Sequence, residues 1–493
     1  MIDTTIDKLN IAQYGLIGMP MKLYQWIPAV IIARKIKQKC PNTNIVIGGI
    51  STKNVAKTFL DNFKFFDFAI WGEGEQSLLL LTEYVEKHTT IDCIPHLTYR
   101  SGKEIKTNKC KLTYTNLNEI CNPNYDDFVN YLDLYGKERN KVQIMIEGGR
   151  GCHWHRCKFC FLNEGYLFRT KAPENIVTEI LYLIKTYGFR IFNFTDNDIV
   201  GNDMLRFNRL LDHLIKIKEA YPEFEIQMAE IITKDITENE IRKMSIAGFT
   251  NIQIGYESPS DSLLNKINKM NTFASNLLAM KWCKIYGIAI SGLNIIRGLL
   301  EETGNDINEA MQKLPFERFI INKSNIKHQY TSLAVSENSR YYTQIGTNGI
   351  NKNYIQQEYG YIPSNIIKDE DRIKIFTHVK KQVNNNWKYY YEMEQNILDN
   401  PHSYALINDN ENIYFKEYCN GKVIKILTFQ KNSIHWKILC ATNCQVASLD
   451  MMLKFGTHEI VKKCIDELFN EKLLYKNSDY SELCSVINTK FIS

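Results

Sequence analysis

Apolar and polar residues along positions 10 to 90 fall into two alternating rhythms. Short near-continuous apolar runs, "YGLIGMP", "NIVIGGIS" and "FDFAIW", are separated by stretches with apolar residues at helical spacing, "WIPAVIIARKIKQKC" and "EQSLLLLTEYVEK". That order predicts a small parallel α/β domain over residues 1–95. Its working loops follow Gly48-Gly49 and Gly72-Glu73-Gly74-Glu75 at the strand ends. Only three strands are visible, where a complete doubly wound domain uses about five.

Residues 96–140 show no clear period and are expected to be a connector. From 141 to 345 the alternation resumes. The expected strands are "VQIMIEGG", "IFNFTDNDI", "EIQMAEII", "NIQIGYES", "IAISGLNIIRG" and "FERFIINKSNI", and between them lie helical stretches that include the long "SLLNKINKMNTFASNLLAMKWCKIYG". Six βα-type units predict an incomplete (β/α)6 barrel rather than a full eight, with functional groups on the loops at the carboxyl ends of its strands. Residues 346–493 are rich in Tyr, Asn and charge. They hold a helix near "DRIKIFTHVKKQVNNNW", a hairpin turning at Asn420-Gly421, and three helices with a strand-like tail. The last part is a winged-helix-like α+β region. The fold class is α/β.

Composition narrows the setting. With 44% hydrophobic and 23% charged residues the 493-residue chain is a folded protein, and its net charge of +5 is too dispersed to mark a nucleic-acid tract or a membrane patch. No apolar run reaches membrane-spanning length, and the N-terminus lacks the basic start and apolar stretch of a signal peptide, so a cytoplasmic location is expected. Thirteen cysteines, an odd number in a large leaderless chain, point to thiols and metal ligands rather than disulfides.

The chemistry concentrates in "EGGRGCHWHRCKFCFLNEGYLFR" after the first barrel strand, where Cys152, Cys157 and Cys160 are spaced C-x4-C-x2-C. Structural zinc takes four protein ligands, so here it would have to recruit His153, His155 or a distant residue. Three thiolates suit a [4Fe-4S] cluster with one iron left open to a substrate or cofactor.

This loop resembles the signature of radical S-adenosylmethionine (SAM) enzymes, C-x3-C-x2-C with an aromatic residue before the last cysteine, here Phe159. The first gap is one residue longer. Trp154 and "FCFLN" are similar to the bacteriocin and ribosomal-peptide (RiPP) maturation branch of that superfamily. The resemblance implies SAM bound through its amino and carboxylate groups at the open iron, one-electron cleavage from a flavodoxin- or ferredoxin-type donor, and hydrogen abstraction by the resulting 5′-deoxyadenosyl radical. It also implies SAM contacts at Asp196 and Asn197 on strand two, Glu257 and Ser258 in the "G-x-E-S" of strand four, and Asn294, Arg297 and Glu302 along strand five. The same residues also suit turns, helix caps or a structural ion pair.

Residues 10–90 resemble the later half of the cobalamin-binding domain that precedes many such barrels, without the Asp-x-His-x-x-Gly motif. Cobalamin is therefore a candidate cofactor. With it, methyl transfer to an unactivated carbon becomes available; without it, epimerisation or another C–H modification is the expected outcome. An epimerase would need a thiol donor, for which Cys283, Cys419 and Cys440 are the candidates. The winged-helix-like region resembles leader-peptide recognition elements, which points to a precursor peptide as substrate. A tRNA or small-molecule substrate, a zinc-binding non-enzyme and a catalytically silent scaffold are the alternatives.

Overall fold

The computed structural model describes residues 2–22, 25–111, 113–161, 167–356 and 366–490; Leu162 and Asn163 of "FCFLN" lie outside them. Two compact units emerge. Residues 1–121, 150–169 and 332–382 form the first, and residues 122–149, 170–331 and 383–493 the second. Among the described residues no helix is long and apolar enough to cross a membrane.

In the first unit β1 (Leu16–Pro20), β2 (Asn44–Ile50) and β3 (Phe68–Trp71) run parallel, with α1 (Trp26–Lys39), α2 (Lys53–Asn62) and α3 (Glu75–Val85) between and after them. Residues 96–140 are not simply a connector. β4 (Leu97–Ser101) pairs antiparallel with β3, and β5 (Glu104–Thr107) with β4, extending the sheet to five strands. The backbone groups of β3 would otherwise form an open edge, and this hairpin satisfies them. The buried faces of α1 and α2 pack on β2 through Ala33, Ile36, Phe59 and Leu60, joined by Ile367 and Phe376 from the 332–382 segment. That segment contains a helix at Arg340–Asn353 and three short strands, so the expected boundary at 345 falls inside one structural piece.

In the second unit six strands form the partial barrel: β6 (Gln143–Ile146), β7 (Ile191–Phe194), β8 (Glu225–Met228, resuming at Glu230–Ile231), β9 (Asn251–Glu257), β10 (Ala289–Arg297) and β11 (Ile326–Ser332). The sixth strand lies later than the apolar run "FERFIINKSNI" suggests. Residues 314–317 wind into a 3-10 turn, and Asn322 accepts bonds from the Ser324 and Asn325 amides, an Asx turn that ends the run before Ile326. The long helix is also two, α7 (Asp261–Lys266) and α8 (Phe273–Tyr286), broken at Asn268 with φ +56° and restarted by the Thr272 cap.

Alternation along β9 sorts its side chains. Ile252, Ile254 and Tyr256 are buried against the helices, whereas Asn251, Gln253 and Glu257 face inward. The inner face carries amides rather than the bulky aliphatic layers of a full barrel. Gln143 donates to Gln227 at 2.7 Å, Asn251 to Ser291 at 2.9 Å, and Gln329 to the Ser291 carbonyl at 2.7 Å. Gly292 makes room for this lining, since a Cβ there would lie 2.3 Å from Gln253 Cγ.

Three helices, α11 (Ile434–Ala441), α12 (Leu449–Met452) and α13 (His458–Asn470), followed by an antiparallel strand pair at Leu474–Lys476 and Leu483–Ser485, reproduce the helix-helix-helix-wing order. This module shares one core with the barrel. Buried Lys281 of α8 donates to the carbonyls of Asn443 and Ser485 at 2.8 and 2.7 Å, and Trp282 Nε1 to Asn443 at 3.0 Å. Burial lowers the Lys281 ammonium to about 8. The wing residue Tyr475 bonds Asp261 at 2.6 Å. The wing therefore packs on the barrel helices.

Candidate cluster loop and barrel site

The cysteine loop belongs to the first unit, where two acidic side chains fasten both of its ends. Glu73, on the turn after β3, is almost wholly buried and accepts from Arg150 Nη1 at 3.0 Å and from Arg169 Nη2; Arg150 also reaches Glu75 at 2.6 Å. Arg169 Nε donates to the Thr115 carbonyl at 2.9 Å. Burial raises the Glu75 carboxyl, yet the Arg150 pairing outweighs it and holds the group below its usual value. Further clamps come from the 332–382 segment: Arg340 donates to the His155 carbonyl at 2.8 Å and Asn338 to that of Phe161 at 2.7 Å. Sequence reading missed this fastening, because Glu73 lies 77 and 96 positions from its partners. Its one visible trace was the Gly-Glu-Gly-Glu turn.

Within the loop, Cys152, Cys157 and Cys160 are half-buried thiols, with Cys160 N bonded to the Cys157 carbonyl at 3.3 Å in a tight turn. Gly151 has φ +74°, and a Cβ there would press to 3.1 Å of the Phe168 amide, so only glycine lets the loop close at this point. Three half-buried thiols on one clamped loop suit a [4Fe-4S] cluster with one iron not held by cysteine. Arg156 stacks over Trp154 at 4.9 Å and His153 packs edge-on to Phe168, while burial, reinforced by Arg340, lowers the His155 imidazole. Phe159 lies in the turn between the last two cysteines.

Glycines stand near the carboxyl ends of β2 and β3, and Lys22 packs beside one of them, 3.1 Å from where a Cβ on Gly49 would lie. Gly49 and Gly72 adopt φ +80° and +69°, and a Cβ on Gly48 would meet nothing within 4 Å. A large planar ligand can approach backbone of this kind, and in that respect the edge fits a corrin.

The barrel ends carry carboxylates. Asp196 is buried and accepts from the Gly148 amide at 2.8 Å; a Cβ on Gly148 would sit 2.8 Å from its Oδ1. Burial raises its pKa to about 7 against the pull of that amide and of Arg206. Arg206 in turn donates to the Gly148 and Lys171 carbonyls, at 3.0 and 2.9 Å. Asp196 thus straps the end of β6, and the half-buried Asn197 follows it. Two further acids were not anticipated. Asp198 accepts from the Gly201 and Ile232 amides, each at 3.0 Å, joining the ends of β7 and β8. Glu230 is raised to about 7 by burial and then by Glu257, with Lys269 opposing.

Glu257, at φ +57°, pairs with Lys269 at 3.0 Å, and Gly255 leaves the space Lys269 fills, since a Cβ there would lie 2.5 Å from Nζ. Ser258 is fully buried and accepts from the Ser260 amide at 3.1 Å, shaping the turn into α7. Asn294 accepts from Thr331 at 3.1 Å. Arg297, three positions on, stacks over Tyr330 at 5.8 Å. Residues three apart on a strand face opposite sides, so Asn294 and Arg297 serve different surfaces. Glu302 accepts from the Gly298 amide at 2.8 Å. Of the thiols proposed as hydrogen donors, Cys283 is wholly buried in the α8 core, where burial pushes its pKa far up. Cys419 lies 3.9 Å from the Asn400 carbonyl at the end of β13 (Asn412–Cys419), and Cys440 is on α11.

Residues 146–314 match the radical SAM superfamily. The superfamily named by that match, which covers a segment of the chain, implies a [4Fe-4S] cluster and SAM as cofactors. The chain is 23% identical over 309 residues to an uncharacterized methyltransferase of Pyrococcus horikoshii, covering 62% of this chain and 64% of that one. The cobalamin-dependent radical SAM enzyme OxsB, solved with aqua-cobalamin and SAM, superposes with a TM-score of 0.61 at 17% identity over 80% of this chain and 60% of its own. The radical SAM methyltransferase TsrM from Kitasatospora setae, solved with tryptophan substrate and a SAM analogue, gives 0.59 at 13% identity over 81% and 80%. The chain therefore spans less than two thirds of the Pyrococcus and OxsB chains. None of these descriptions names a peptide, so the peptide-maturation branch suggested by the cysteine loop gains no support from them.

Proposed function

We propose that this chain, with its radical SAM domain as premise, is a cobalamin-dependent methyltransferase that acts on a small molecule. The observation that carries the reading is the presence, in one chain, of a clamped three-cysteine loop and a parallel sheet with Gly48, Gly49 and Gly72 at or beside the carboxyl ends of β2 and β3. Cys152, Cys157 and Cys160 would hold the cluster, and these ends of β2 and β3 would face the corrin. Bound together, cluster and SAM supply a carbon radical able to take a hydrogen atom from an unactivated C–H bond, and cobalamin supplies the methyl group.

The protein's own groups bind and orient. The Glu257–Lys269 pair offers SAM a fixed carboxylate and ammonium, and Asn294 a polar contact beside them. The inward amides Gln143, Gln227, Gln253 and Gln329 give a polar substrate donors and acceptors without adding charge. Glu230, half-protonated near neutrality, can hold or release a proton at its carboxylate.

The test is anaerobic turnover with reductant, SAM and added cobalamin. S-adenosylhomocysteine formation that depends on cobalamin supports methyl transfer; production of 5′-deoxyadenosine alone, unchanged by cobalamin, would move the enzyme to the epimerase class. A peptide substrate is the second reading. It is favoured by β14 (Lys422–Gln430), an edge strand exposing Val423, Ile424 and Ile426, to which an extended peptide could add.

A further inference from the structure

A cleft of about 400 Å³ opens in the second unit at the ends of β10 and β11, lined among others by Arg297, Tyr330, Trp387, Lys388 and Tyr391. It lies on the side of the strands away from the amide-lined interior. Thr331 reaches Asn294 on the inner face, and its neighbour Tyr330 takes Arg297 on the other. The cleft is distinct from the surface on which Glu257 and Asn294 stand.

Its chemistry is that of an anion site with aromatic walls. Arg297 Nε is buried and has no hydrogen-bond acceptor among the described residues, and neither does Nε1 of Trp387, which is only 3% exposed. Buried donors left without acceptors are rare in folded proteins and mark the place of a missing partner. Lys388 adds a second positive charge, held only loosely by Glu392 at 3.8 Å, and both it and Trp387 stand in the first turn of α10 (Trp387–Asp399), where the helix dipole is positive. Among the described residues no carboxylate lines the cleft.

The wall is also rigidly built. The Tyr330 hydroxyl donates to Glu394, Glu394 meets His328 Nδ1 at 2.9 Å, His328 Nε2 lies 3.3 Å from Glu317, and Glu317 accepts from Tyr256 at 2.6 Å. This buried chain fixes the Tyr330 ring under the Arg297 guanidinium. Burial and Glu394 push the Tyr330 phenol far up, so it stays neutral beside an anion.

We propose that the cleft binds an aromatic carboxylic acid. The carboxylate pairs with the Arg297 fork and Trp387 Nε1, and the ring lies among Tyr330, Trp387 and Tyr391. A planar guanidinium matches a carboxylate through two parallel bonds, and the volume falls within the range of small-molecule sites.

The proposal is independent of radical chemistry and is tested on the full chain by ligand-observed NMR and calorimetry. Phenylacetate is compared with phenylacetamide, and SAM is the competitor. The expected result is saturable binding of phenylacetate about tenfold tighter than the amide, unaffected by SAM. Arg297→Gln should reduce the preference to about twofold or less. Lys388→Glu, at an exposed position that cannot disturb the core, should weaken phenylacetate but not the amide. Equal binding of acid and amide, absence of saturable binding, displacement by SAM, or a preference that survives both substitutions would each overturn it.

Discussion

Glutamates stand at the carboxyl ends of strands in both units, and they live under opposite electrostatics. After β3, Glu73 and Glu75 are consumed by Arg150 and Arg169, and Glu75 is held below its ordinary value. After β7 and within β8, burial raises the carboxyls of buried Asp196 and half-buried Glu230 to about 7, against Arg206 at the first and, with Glu257 adding to the rise, against Lys269 at the second. The first pair is fastening. The second is a set of groups that share protons near neutral pH, the property expected where polar ligands are held and protons moved. A carboxylate at a strand end is therefore not in itself a site; burial raises it, and whether a bonded arginine outweighs that burial decides.

The largest expected effect comes from breaking the fastening. Glu73→Ala removes the buried carboxylate shared by Arg169 and Arg150, the latter keeping Glu75, and breaking a buried pair costs about 3–5 kcal/mol in comparable cases. The variant should lose most of its reconstitutable iron even where it still folds, as iron assay beside circular dichroism will show. Glu75→Gln removes a half-exposed partner and should cost about 1 kcal/mol or less, with iron retained.

On the barrel side, Glu257→Gln removes the carboxylate that pairs with Lys269 at 3.0 Å. SAM affinity measured by equilibrium dialysis should fall about tenfold, with little change in iron content.

A pH series sharpens the comparison. A carboxyl whose folded pKa is raised favours folding fully at low pH and loses that contribution as pH climbs from about 4.5 through 7, whereas the lowered Glu75 contributes at higher pH and loses its contribution on acidification. Glu230→Gln should therefore flatten the fall in melting temperature between pH 5 and 8. Its effect should be on the order of 2 kcal/mol at pH 8, after discounting for its partial exposure.

The smallest effect on the fold is predicted at Gly48. Leucine there meets no atom at its Cβ, so stability should hold within about 0.5 kcal/mol. Cobalamin retention on gel filtration should fall, because the leucine fills the edge.

What could be read in advance was what is local. Strand and helix periods located β1 to β3 and all but the last barrel strand, and the cysteine spacing pointed to the superfamily that residues 146–314 match. Asn420, at φ +50°, and Gly421, at φ +74°, made the hairpin where expected. Errors arose where a local signal was outvoted. The Asn322 turn stopped an apolar run that reads as a strand, and the Thr272 cap divided a helix whose apolar period is continuous. The Glu73 clamp, the membership of residues 332–382 in the first unit, and the separation of Asn294 from Arg297 by strand face depend on partners far apart in the chain or on exact register, which periodicity does not carry.

The most direct test of the central claim is the metal content and electron paramagnetic resonance of anaerobically reconstituted protein, with and without SAM. Cys152, Cys157 and Cys160 as ligands to a cluster with an open iron predict about four iron and four sulfide per chain, a signal in the reduced protein that changes when SAM is added, and loss of both in Cys157→Ala. Bound zinc in place of iron, or a cluster signal indifferent to SAM, would contradict it.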